Sequence, residues 1–248
     1  MYNVWEAATL ARATRDIDLL AQQLENSVEN ITEIVKDICR ISVDPDGLTF
    51  DVGSVVGVRI KEEADYEGVR VRFVGHLGTA RVSMQLDIAF GDVVVPSGQP
   101  LEYPTLLDFP APQLRGYSKE STVAEKFEAM VKLGDLNSRM KDFFDIWTSS
   151  HQFDFDGALL ARALKETFSN RRTGVPASPA PFTPAFAKDP TRAAQWRAFR
   201  RRNRLTNAPE DLEEVVRHIA SFLGPVAQAI AIDQPFEGRW EADGAWMK

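Results

Sequence analysis

Apolar residues recur along this chain with two different periods, and the change from one to the other divides it. Arg15-Asp16-Ile17-Asp18-Leu19-Leu20 alternates charged and apolar until its end, as a half-buried strand does. From Asn26 to Ile41 the apolar residues Val28, Ile31, Ile34, Val35 and Ile38 recur at helical spacing, with Asn26 or Ser27 as N-cap and Pro45 beyond the end. Strand signals follow at Val55–Ile60, Val69–Val74 and Arg81–Phe90, rich in β-branched residues. The last alternates cleanly, with Val82, Met84, Leu86 and Ile88 on one face and Ser83, Gln85, Asp87 and Ala89 on the other. Met1–Ala8 reads as one or two helical turns, and the proline-rich loop from Pro96 to Pro112 as a junction.

Beyond that loop the period is helical. Thr122–Leu133 opens with a capping box, Thr122 to Glu125, and ends at Gly134. Arg139–Ser150, Gly157–Arg171, Pro190 or Thr191 to Arg204, and Pro209–Leu223 read as further helices. Gly174–Pro190 holds five prolines and reads as a surface connector. From Ile230 onward no period is evident. The fold class expected is α+β: a mixed sheet with flanking helices in residues 1–112, a helical domain in 113–229, and a tail in 230–248.

Composition narrows the setting. A chain of 248 residues can bury a sizeable core without disulfides, and its single cysteine, Cys39, forms no intramolecular one. No apolar run is long enough to span a bilayer and Met1–Arg15 lacks a signal-peptide core, so the expectation is a cytoplasmic protein without membrane contact. The net charge of -7 argues against nucleic acid as a partner of the whole surface. It hides six arginines, Arg192, Arg197, Arg200, Arg201, Arg202 and Arg204, within thirteen residues.

Candidate chemistry starts at Asp16-Ile17-Asp18. Residues two apart on a strand share a face about 6.6–7 Å apart, which lets two carboxylates share Mg²⁺; an exposed strand face reads the same way. Asp87 adds a third carboxylate, on the polar side of an otherwise apolar strand, and its plain reading is a rim aspartate on a wet face. Two close aspartates and a third some seventy residues on is the order of the polymerase-β-like nucleotidyltransferases. Lys126 lies at the border of its helix's apolar face, where a lysine either snorkels to solvent or reaches a phosphate. In Arg139-Met140-Lys141-Asp142-Phe143-Phe144-Asp145, Lys141 and Asp145 suit an ordinary i,i+4 ion pair, or else Asp142 and Asp145 orient Lys126 from a neighbouring helix. His76, His151 and His218 lack metal-ligand spacing, and no Walker A, G-x-G-x-x-G or G-x-S-x-G occurs.

Taken in order, Arg12-Ala13-Thr14-Arg15-Asp16-Ile17-Asp18, Gln85-Leu86-Asp87-Ile88, Ala124-Glu125-Lys126-Phe127-Glu128-Ala129 and the Arg139–Asp145 segment resemble the AbiEii/AbiGii abortive-infection toxins. The resemblance runs from about Leu10 to Leu223. It implies a polymerase-β-like nucleotidyltransferase domain, a helical C-terminal domain, a nucleoside triphosphate substrate with Mg²⁺, and a cognate antitoxin. Relatives are described as modifying transfer RNA at its acceptor end. Carried over, Asp16 and Asp18 are metal ligands, Lys126 contacts phosphate, and Asp142 or Asp145 is the late essential acid; Arg12 and Arg15 join the nucleotide-binding set. Asp87 as third metal ligand rests on the strand argument.

The family places a glycine-containing turn before the helix that leads to D-x-D, which here falls at or upstream of Met1. The alternative reading is therefore an N-terminally truncated, catalytically inactive member acting as an interaction protein. A D-x-D glycosyltransferase leaves the lysine and K-D-x-x-D motifs unexplained. For an RNA acceptor, Arg197, Arg200, Arg201 and Arg204 recur at i, i+3, i+4 and i+7 and make one stripe; pairing with Glu210, Asp211 and Glu213 of the next helix is the competing account.

Overall fold

The computed structural model describes residues 17–61, 67–103, 105, 108–242 and 244–247. Met1–Ala8, Arg12, Arg15 and Asp16 lie outside them. The described residues form two compact units, divided between Asp92 and Val93.

The first unit carries β1 (Ile17–Ala21), α1 (Val28–Arg40), β2 (Leu48–Lys61), β3 (Glu67–Leu77) and β4 (Ala80–Phe90). They form a sheet in the order β1-β4-β3-β2, with β1 parallel to β4 and the other pairs antiparallel. Alternation sorts its two faces. Val69, Val71 and Phe73 stand opposite Ile88, Leu86 and Met84, and Ile31 and Val35 of α1 pack on this side. The polar row of β4 faces the other way, as its alternation predicts. Ser27 is the N-cap of α1, its hydroxyl accepting from the Asn30 N–H at 3.2 Å. Where α1 crosses β2 the sheet carries Gly57, and a Cβ there would lie 2.1 Å from Thr32 Oγ1, so only glycine allows this approach.

The second unit begins with a ribbon, β5 (Gln99–Glu102) paired to β6 (Gln113–Gly116), the first strand inside the segment read as a loop and the second just after it. Then come α2 (Lys119–Leu133), α3 (Met140–Gln152), β7 (Phe155–Asp156), α4 (Gly157–Asn170), α5 (Pro184–Ala187), α6 (Pro190–Asn203), α7 (Leu212–Ala231), β8 (Arg239–Trp240) and β9 (Trp246–Met247). With the mixed sheet of the first unit, the fold is α+β. Its larger core holds Phe127, Phe143, Phe168, Phe222, Trp196 and Trp240, all fully buried. No helix among the described residues is long and apolar enough to cross a membrane.

Several boundaries differ from the pattern for identifiable reasons. Helix α2 starts three residues before Thr122, because Ser118 caps it by accepting from the Ser121 N–H at 3.0 Å, and the Thr122 hydroxyl turns back to Ser118 O. Gly134 ends it with φ +48°. Helix α7 runs through Pro225 to Ala231, since Val226 and Ala227 bury fully and their packing outweighs the hydrogen bond that proline removes. The tail after Ile230 pairs as β7-β8-β9 and is fastened by indoles: Trp240 Nε1 donates to Ser150 O at 2.7 Å and Trp246 Nε1 to Phe222 O at 2.8 Å.

The proline-rich segment is not a surface connector. Pro181, Phe186 and Ala187 are buried, Phe186 stacks on Phe143 with centroids 5.5 Å apart, and the Arg192 guanidinium lies 4.1 Å above its ring. Replacing Phe186 by alanine should cost about 3–5 kcal/mol in equilibrium urea unfolding, against about 0.5 kcal/mol or less for a surface residue. Glu120 gives a pH signature. Burial, reinforced by Asp156 and only partly offset by backbone hydrogen bonding and Lys119, raises its carboxyl above the usual range. The folded chain thus holds this proton more tightly than the unfolded one, and stability falls as pH rises through the raised value. Glu120→Gln should melt higher than wild type at pH 7, with the gain shrinking toward about pH 4.

Candidate functional site

Two charged constellations emerge, one in each unit. In the first, Asp18 pairs across β1 and β4 with Asp87, and Asp87 pairs across β4 and β3 with Arg70. Register partners project to the same face, so the three side chains share the polar side of the sheet. Arg70 takes Asp87 with both prongs: Nε donates to Oδ1 at 2.7 Å and Nη2 to Oδ2 at 2.7 Å. Gln85 Nε2 adds a bond to Oδ2 at 3.3 Å, and Arg72 Nε donates to Gln85 Oε1 at 3.0 Å. Sequence reasoning missed Arg70, which becomes visible only once the β3–β4 register is known.

Hard divalent cations take carboxylate oxygens, which Asp18 supplies on an exposed strand. Asp87 is committed otherwise, because both its oxygens accept from a guanidinium that would repel a cation beside it. Among the described residues no group of three or more His, Cys, Asp or Glu is placed to hold a metal ion. Asp18 therefore fits Mg²⁺, whereas Asp87 fits only if its pair with Arg70 opens.

The second constellation is built by α2 against α3. Every residue of α3 from Asp142 to Ser150 is buried, so its two aspartates leave water with the helix. Lys126 of α2 meets them, with Nζ 2.8 Å from Asp145 Oδ2 and 3.6 Å from Asp142 Oδ1. Its side chain is 21% exposed, theirs 1% and 0%. Arg139 Nε lies 2.7 Å from Asp142 Oδ2, but its N–H is out of line, so the attraction is of charge rather than a directed hydrogen bond. The Asp142 oxygens accept no hydrogen bond from the described residues. The i,i+4 pair of Lys141 with Asp145 does not form, since Asp145 turns inward to Lys126 while Lys141 is exposed.

Nearby on α2, the fully buried Glu128 accepts from Thr173 Oγ1 at 2.5 Å and from Arg171 Nη1 at 3.2 Å. Sequence reading had not joined these three residues.

The arginine cluster is partly as expected. Arg197, Arg200 and Arg201 lie on α6, while Arg204 is its C-cap in the left-handed conformation, φ +54°. Trp196 and Phe199 turn inward and leave Arg197, Arg201 and Arg204 exposed. No ion pair links them to Glu210, Asp211 or Glu213 among the described residues; Glu213 pairs with Lys188 instead, at 3.4 Å. His151 and His218 meet as stacked rings with centroids 3.8 Å apart, and Ser150 Oγ lies 2.9 Å from His218 Nε2. Burial raises the Cys39 thiol, which suits a packing role.

The model of the family described as "Nucleotidyl transferase AbiEii toxin, Type IV TA system" matches residues 5–218. Among solved structures, JHP933 from Helicobacter pylori is 18% identical, with 94% of this chain and 80% of that one covered and a TM-score of 0.48. A second H. pylori structure, named as a "putative nucleotidyltransferase", is 16% identical over 94% of this chain and 84% of that one, with a TM-score of 0.44. No curated protein sequence matches.

Removing the lysine takes away the cation that two buried carboxylates share. Lys126→Ala should lose about 3–5 kcal/mol in urea unfolding, more than a solvent lysine could, because the loss strands charge in the interior. Adding Asp145→Asn to that variant should restore part of it.

Proposed function

The chain belongs to the AbiEii nucleotidyl transferase toxin family, and we propose that it moves a nucleotide from a nucleoside triphosphate to an RNA acceptor, the acceptor end of transfer RNA. Family membership supports the nucleotidyl transfer itself and a cognate antitoxin. The observation that carries the reading is Lys126, an ammonium aimed by two buried carboxylates and still 21% exposed. Such a group is fixed before substrate arrives and costs no reorganisation when it meets phosphate.

In this reading Asp16 and Asp18 hold Mg²⁺, joined by Asp87 once Arg70 releases it. Bound there, the cation would activate the acceptor hydroxyl and offset triphosphate charge. The hydroxyl oxygen bonds to the α-phosphorus, the bond to the α–β bridging oxygen breaks, pyrophosphate leaves and the hydroxyl proton passes to water. Lys126 contacts phosphate and offsets charge on the leaving group. Asp145 and Asp142 are too buried to touch substrate and act by holding Lys126. Arg12 and Arg15 belong to the nucleotide-binding set, and Arg197, Arg200, Arg201 and Arg204 hold the RNA backbone. The setting is the cytoplasm, where nucleotide and transfer RNA meet.

One observation favours the second reading, an inactive member that binds a partner: the closed pair between Asp87 and Arg70. Incubation with α-labelled ATP, CTP, GTP or UTP, Mg²⁺ and transfer RNA separates the two. Label in the RNA that Lys126→Gln reduces about a hundredfold or more supports the enzyme; no label with any nucleotide supports the interaction protein.

The arginines are tested separately. Replacing Arg197, Arg200, Arg201 and Arg204 together by glutamine should weaken RNA binding and flatten the log–log salt dependence by about 3 units, leaving nucleotide binding intact. Unchanged affinity and slope would place the acceptor elsewhere.

A further inference from the structure

Asp142 has a second cation that the proposed reaction leaves unused. We infer that Arg139 is a phosphate contact beside Lys126, so that the triphosphate is met by a point charge and a guanidinium fork. The inference rests on the reading of Lys126 as a phosphate contact.

The two cations share one carboxylate. Lys126 Nζ stands 3.6 Å from Asp142 Oδ1 and Arg139 Nε 2.7 Å from Asp142 Oδ2, which sets them side by side. The charges are layered. Asp142 and Asp145 are 0% and 1% exposed, while Lys126 and Arg139 are 21% and 36% exposed. Four formal charges cancel in number, yet the negative ones face inward and the positive ones face out. An anion approaching from solvent therefore meets a positive surface whose counter-charges lie behind it.

Arg139 is anchored at one edge only. Nε is buried against Asp142, and the Nη groups hydrogen-bond to none of the described residues. Of the five N–H groups on a guanidinium this leaves the outer four, the ones that match phosphate oxygens in pairs.

Arg139 is the N-cap residue of the thirteen-residue α3, whose start is satisfied by the backbone, the Met140 N–H donating to Ser138 O and the Asp142 N–H to Arg139 O, both at 2.9 Å. One feature of the same turn points the same way. Asn137 is 2% exposed and its Nδ2 has no acceptor among the described residues, although its Oδ1 accepts from the Arg139 N–H at 2.8 Å. An unspent buried donor thus stands two residues from one of the two outward cations. A purely structural Arg139 would account for the charge on Asp142 but for neither the idle Nη groups nor the Asn137 donor.

The test is calorimetric titration of the full chain with inorganic tripolyphosphate and with each of ATP, CTP, GTP and UTP, in Mg²⁺. Wild type, Arg139→Gln, Arg139→Lys and Lys126→Gln are compared, with melting temperatures in parallel. Arg139→Gln should raise Kd about tenfold to a hundredfold, by a similar factor for tripolyphosphate and all four nucleotides, because the contact ignores the base. If Arg139→Gln does not fold, Arg139→Lys decides, since it keeps a charge against Asp142 but loses the fork: weakened tripolyphosphate binding supports the inference and unchanged binding overturns it. Arg139 variants that bind tripolyphosphate within about twofold of wild type, beside a weakened Lys126→Gln, reduce Arg139 to a counter-ion and leave the Lys126 reading intact. Should Lys126→Gln also bind unchanged, both readings fall together.

Discussion

Burying two carboxylates on one helix is the constraint around which the larger unit is arranged. Helix α3 is covered over nine successive residues, and Asp142 and Asp145 go inside with the phenylalanines. An ionised carboxylate in such a place is tenable only with a cation against it, and the helix cannot turn its aspartates to water without exposing Phe143, Phe144 and Trp147. Lys126 therefore fixes where α2 must lie. On α2 a third buried acid, Glu128, is fastened by Arg171 and Thr173 just after α4. Helix α2 is thus pinned by charge on two sides. Hydrophobic residues of similar volume would pack as well or better, so the ionic arrangement is understood through what it presents outward.

Much of this was legible in the sequence. The periods located α1, α4, α6 and the three long strands, because each has one buried side and one wetter side, and α3 showed as a run of aromatic and apolar residues. Asp142 and Asp145 stood out because carboxylates among phenylalanines demand a partner. The partner's identity was half legible: Lys126 at the edge of an apolar helix face was open to two readings, and only the packing of α2 on α3 brings it to Asp145. The pairing with Lys141 looked equally good by spacing alone. It fails because α3 is not a surface helix, a fact that depends on the rest of the core.

What the sequence did not disclose has a common cause. Pro176 to Pro190 carries the composition of a loop, yet Phe186 enters the core, because composition reports backbone preference while burial depends on what the backbone crosses. The tail shows no period, since two short strands and two indoles give none to detect; Trp240 and Trp246 pack on Phe222 and each adds one hydrogen bond, to Ser150 and Phe222. Arg70 was silent for a different reason. One arginine on an alternating strand is unremarkable until the register sets it against Asp87.

That register changes how the sheet's polar face is understood. Neighbouring carboxylates such as Asp18 and Asp87 are more stable with a cation beside them, and it can come from solvent or from the chain. Here the chain supplies it at Asp87, where Arg70 closes a bidentate pair, while Asp18 on the adjacent strand remains exposed. The same economy of charge recurs in the other unit, where Asp142 and Asp145 are answered by Lys126 and Arg139. In both places an acid that looks like a ligand in the sequence has an internal cation in the fold. The charge that each unit exposes differs: at the sheet it is the carboxylate of Asp18, and at α3 it is the partly exposed ammonium of Lys126 and guanidinium of Arg139, each set by the packing of its own unit.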